Sequence, residues 1–89
     1  MDNLGLLNQV RQAFDADEVY LATRFEVWDR GELVIVTILD AGVGDESNRY
    51  TAQACSSDAE AAVPISTNPS ADVSDVLREL VHKWRSRTQ

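Results

Sequence analysis

The run Leu33-Val34-Ile35-Val36-Thr37-Ile38-Leu39 constrains this chain more than any other stretch. Successive side chains of a strand point to opposite faces, so a strand with one wet face alternates apolar and polar residues. This run is apolar on both faces. A chain of 89 residues reads as one domain, 1–89, and buries only about 60–65% of its unfolded surface, enough for one modest core. The strand asks for two covers where the chain has material for one.

The flanking segments supply the first cover. Residues 3–14 repeat Leu6, Leu7, Val10, Ala13 and Phe14 at helical spacing. Residues 19–28 alternate, with Val19, Leu21, Thr23, Phe25 and Val27 on one face and Tyr20, Ala22, Arg24, Glu26 and Trp28 on the other. Asp29-Arg30-Gly31-Glu32 is a short hairpin turn, with Gly31 free to take positive φ. Residues 49–57 form a third strand whose Ala52 and Ala54 let a helix approach closely. Residues 58–72 read as irregular, with a short edge strand at Val63–Thr67 as the second reading. Val73, Val76, Leu77, Leu80, Val81 and Trp84 mark a helix over 73–86, capped by Ser70 or Asp72. The expected class is α+β, in the order α-β-β-β-α: a three-stranded antiparallel meander with two helices packed on one face. Helix one packs by Leu7, Val10 and Phe14, helix two by Val73, Leu77, Leu80 and Trp84.

Two helices cover one face, so the second face of the central strand stays open. Either Val34, Val36 and Ile38 or Leu33, Ile35 and Leu39 point outward, beside Tyr20 and Trp28. Patches of a few hundred Å² tend to mark interaction sites, and Trp and Tyr are common anchors. The alternative is a lid made by Val63 and Ile65 as residues 58–72 fold back.

Charge adds a second surface. The chain has 15 acids against 8 bases, net −7. Residues 1–75 hold 14 of the acids against four arginines, whereas residues 76–89 hold four bases against Glu79. An acidic body repels nucleic acid and anionic membranes and steers basic partners toward it. It also keeps a small protein soluble without any partner. In an up-down-up meander Asp15, Asp17 and Glu18 share one rim with Asp40, Asp45 and Glu46. A last helix descending onto that rim would neutralise part of it with Lys83, Arg85 and Arg87.

Chemistry-bearing motifs are thin. Gly42-Val43-Gly44 lacks the full dinucleotide fingerprint and no helix follows it. Residues 40–51 put Gly42, Gly44 and Thr51 where a calcium loop needs oxygen ligands and a Glu. His82 and Cys55 each stand alone, short of a zinc set; as a nucleophile pair they would have to meet in space. No catalytic residue, metal ligand or cofactor is expected. The apolar runs are far below the roughly 18 residues of a membrane span. The start MDNLGLL has no basic stretch and Cys55 is single, as expected of a cytoplasmic protein.

The order α-β-β-β-α is similar to that of the double-stranded-RNA-binding domain. The likeness is of element order alone: that family's basic second-helix motif is missing, since Ser70–Leu80 begins acidic.

The expected function is therefore a small acidic, non-enzymatic protein-binding module. It would inhibit or regulate a basic partner, including one that handles nucleic acid, as phage proteins acting against host defences do. A second copy is the other partner, giving a homodimer. The binding surface is expected at Tyr20, Trp28, Val34, Ile35, Val36 and Ile38, with Asp40, Asp45 and Glu46. The alternative is a nucleic-acid-binding domain using Lys83, Arg85 and Arg87; an enzyme has least support.

Overall fold

A computed structural model describes residues 3–15, 17–42, 46–57 and 64–87. Its elements are α1 (Asn3–Phe14), β1 (Leu21–Asp29), β2 (Glu32–Asp40), β3 (Tyr50–Ser56), β4 (Ile65–Ser66) and α2 (Val73–Ser86), with a 3-10 turn at Glu46–Asn48. The sheet is antiparallel throughout, in the order β1-β2-β3-β4. The α+β class and the meander are those the patterning implies; the fourth strand is an addition.

The β1–β2 turn is two residues long. Arg30 and Gly31 both take positive φ, 52° and 82°. That conformation matches the right-handed twist of the flanking strands and sets Asp29 opposite Glu32. The register then decides which half of the doubly apolar strand meets the helix. Val36 pairs with Ala54 and Val34 with Ser56. Val34, Ala52 and Ala54 form one buried cluster with Val76, Leu80 and Trp84 of α2, and Val36 packs against it. Val34, Val36 and Ile38 therefore point toward α2, and Leu33, Ile35 and Leu39 point away. Ala52 and Ala54 are 0% and 2% exposed: methyl-sized side chains let α2 lie close on β3.

Helix α2 begins where Asp72 accepts the Ser74 N–H at 2.8 Å. Its buried ridge is Val76, Leu80 and Trp84, at i, i+4 and i+8. Leu77, expected in the core, is only part-buried, and Val81 is 45% exposed. The apolar stripe is thus rolled, with one flank left facing the space over β1. Helix α1 does not fill that space. Leu7 is buried, but Val10 is 37% and Phe14 78% exposed, so of the three packing residues expected there only Leu7 serves. Phe25 and Val27, on the α2 side of β1 by their pairing with Val36 and Val34, are exposed as well.

The patterning of residues 58–72 implies irregular structure. Instead Ile65–Ser66 pairs with Gln53 and Ala54 as an edge strand. Ile65 packs against the α2-side core and so forms no lid over the opposite face. Where β4 ends, a side chain continues the ladder: Ala52 N–H donates to Thr67 Oγ1 at 3.1 Å, and Thr67 N–H donates to Ala52 O at 3.0 Å. Glu79 then straps the segment to α2, accepting the Asn68 N–H at 2.8 Å, while Lys83 donates to Ser66 O at 3.1 Å. Val63, the other residue expected in such a lid, lies outside the described residues.

Candidate protein-binding surfaces

The hairpin end of the sheet receives the basic end of α2. Arg85 pairs with Asp29 at 3.2 Å and Arg87 with Glu32 at 2.6 Å. Arg87 also lies over the Trp84 ring, 3.6 Å from its centre, and donates to Trp84 O at 2.7 Å. Lys83 pairs with Glu79 at 3.1 Å. Arg85 and Arg87 thus neutralise the Asp29–Glu32 end, not the Asp40 end that a descending helix implies. Part of the charge asymmetry of the sequence is balanced within the fold. Lys83, Arg85 and Arg87 are each engaged by an acid.

The opposite end behaves differently. Asp15, Asp17 and Glu18 are exposed just ahead of β1 and have no ion pair among the described residues. Asp40, at the same end, is not free. Its carboxylate accepts two bonds from Arg49, at 2.7 and 3.0 Å, and the Gly42 N–H at 2.8 Å. Its side chain is 16% exposed. The Arg49 bond, helped by Gly42, holds the Asp40 carboxyl below its ordinary pKa, against the opposing pull of burial. Asp40 is thus a structural anchor. Glu46 opens the 3-10 turn at this end, and Asp45 lies outside the described residues.

The apolar candidates divide between two faces. Val34 is core at 3% exposure, and Val36 and Ile38 share its face; they are not an outward patch. Ile35 is on the other face with Trp28, which is 71% exposed, while Leu33, Ile35 and Leu39 are part-exposed. Tyr20, 42% exposed, precedes β1. A second apolar surface is not implied by the patterning. It is a groove of about 150 Å³ between α2 and β1, lined by Val27, Val34, Val36, Leu80, Val81 and Trp84. Phe25 stands exposed on the same face of β1. Its only trace in the sequence is that β1, like the edge of any meander, has one neighbour instead of two.

Cys55 and His82 do not meet. Cys55 alternates with the buried Ala54 and so points away from α2, which carries His82 exposed on its surface. Among the described residues no group of three or more His, Cys, Asp or Glu is arranged to hold a metal, and no helix is long and apolar enough to cross a membrane.

No family model, no curated protein and no solved structure matches the chain.

Proposed function

We propose that this chain is a non-enzymatic protein-binding module that engages a basic partner protein and regulates or inhibits it. The observation that carries this reading is the placement of the unpaired charge. Five of the eight bases are in ion pairs with acids of the same chain, whereas Asp15, Asp17 and Glu18 have none among the described residues. The field presented to a partner is therefore acidic at one end. Exposed aromatics stand at that end as anchors, Phe14 at 78% beside Asp15 and Tyr20 at 42% just ahead of β1. Complementary charge speeds encounter and selects the partner; buried aromatics hold it.

The nucleic-acid reading has less support. Lys83, Arg85 and Arg87 would have to leave their acids to contact phosphates, and the net charge of −7 opposes approach.

Capture of partners from the native host, identified by mass spectrometry, is the first test. The captured basic protein should bind the purified chain directly, with affinity that weakens as salt rises. If that protein handles nucleic acid, the chain should displace it. A chain that instead binds RNA or DNA itself, with a steep salt dependence, contradicts the reading.

A further inference from the structure

β1 is a free edge of the sheet. Its one ladder among the described residues is with β2, so the backbone groups of its other edge have no strand to bond. Every residue from Ala22 to Trp28 is exposed. Edge strands normally carry protection, such as a proline, a bulge or an inward-pointing charge. β1 has no proline and pairs with β2 over nine uninterrupted positions. Its α2-side positions between the two ends are Thr23, Phe25 and Val27, none of them charged. Such an edge invites another strand.

The sequence of β1 specifies which strand. Laid antiparallel against itself and centred on Phe25, it is self-complementary. Phe25 opposes Phe25 of a second copy. Arg24 opposes Glu26 on one side of the axis, and Glu26 opposes Arg24 on the other. Thr23 opposes Val27, and Ala22 leaves room for Trp28. Directly opposed residues in an antiparallel pair share a face and interact; opposite charges there stabilise and like charges destabilise. Centring one residue earlier sets Arg24 against itself, and one residue later sets Glu26 against itself. Charge therefore selects the Phe25 register. Neither Arg24 nor Glu26 has an ion pair among the described residues of its own chain.

We propose that two copies pair through β1 about a two-fold axis through Phe25, joining two four-stranded sheets into one continuous sheet. The axis is normal to the sheet, so both α2 helices lie on the same side. The two grooves then open onto one another, and Phe25, Val27 and Val81 of each copy, which are 47%, 38% and 45% exposed in the single chain, line a shared apolar strip. This pairing does not depend on the acidic end or on the identity of any basic partner.

The test uses the full chain and light scattering across concentration. The wild type should approach twice 9.9 kDa. Arg24→Glu sets two carboxylates against one another in both halves, and Glu26→Arg sets two guanidinium groups against one another. Each single variant should keep its circular dichroism and weaken dimerisation by at least about tenfold. Mixing the two variants restores both opposed pairs. In the mixed dimer position 24 of the first variant, now acidic, opposes position 26 of the second, now basic. The unaltered Glu26 of the first opposes the unaltered Arg24 of the second, so the mixture should recover the dimer. Amide exchange on the wild type needs no substitution: protection should cover every residue from 22 to 28, not alternate ones. A wild type that stays at 9.9 kDa at high concentration, single variants that dimerise as the wild type does, a mixture that does not recover, or alternate amides that exchange freely would each overturn the proposal.

Discussion

Asp40 accepts from Arg49 and from the Gly42 N–H, and Glu79 accepts from the Asn68 N–H and from Lys83. Both carboxyls are held below their ordinary pKa, Asp40 chiefly by Arg49 and Glu79 chiefly by the Asn68 N–H. A group whose pKa is lower folded than unfolded binds fewer protons in the folded state, so it stabilises the fold above its unfolded pKa. That contribution is complete above about pH 4 to 5, the unfolded carboxylate range, and is lost as pH falls through the folded values. Melting temperature should therefore drop on acidification below about pH 4. In Asp40→Asn the wild-type stability at pH 7 should be reduced and the acid slope flatter; an acid slope equal to that of the wild type would contradict the role given to Asp40. The sequence marks Asp40 only as one acid of a rim. Its pairing with Arg49, nine positions on, depends on β2 and β3 being adjacent, which the spacing of charges does not reveal.

At the scale of elements, periodicity carries most of the fold. The 3.6-residue stripe of α2, the strand period of β1 and the two-residue turn at Arg30-Gly31 are all local signals, and the structure forms these elements, although β1 is exposed on both faces from Ala22 to Trp28 and buries neither. The roll of α2 and the stand-off of α1 are not local. A stripe tells which residues are apolar, and only the competition for sheet surface tells which ridge is buried. β3 and β4 draw α2 toward themselves, through Ala52, Ala54 and the Glu79 and Lys83 straps, so Val76, Leu80 and Trp84 go down and Val81 stays out. β4 is hidden from the patterning because two residues are too few to show alternation, and its continuation runs through the Thr67 side chain. The difference between ridges is measurable. Leu80→Ala, at 3% exposure, should cost about 2–5 kcal/mol. Leu6→Ala, at 45% exposure, should cost less than about 1 kcal/mol. Comparable losses in urea unfolding would mean that α1 is packed as tightly as α2.

At the scale of the whole molecule, the chain is polarised. Arg85 and Arg87 close on the hairpin end, where Asp29 and Glu32 receive them, and Asp15, Asp17 and Glu18, without ion pairs among the described residues, stand at the other end, before β1. The candidate surface is legible in the sequence as a composition and not as a place. An acidic excess and a doubly apolar strand are the sequence features behind the proposed surface, but the ion pairs decide which acids it would contain. The apolar half of the strand that faces α2 is core. The central claim is that the acidic end recognises a basic partner, and it is tested most directly by neutralising that end alone. Asp15→Asn, Asp17→Asn and Glu18→Gln together alter exposed residues without ion pairs among those described, so the melting temperature should hold within a degree or two, roughly the reach of surface substitutions. Affinity for the captured partner, measured by calorimetry at low salt, should fall by about tenfold and lose much of its salt dependence. Wild-type affinity with wild-type salt dependence in the triple variant would contradict the account.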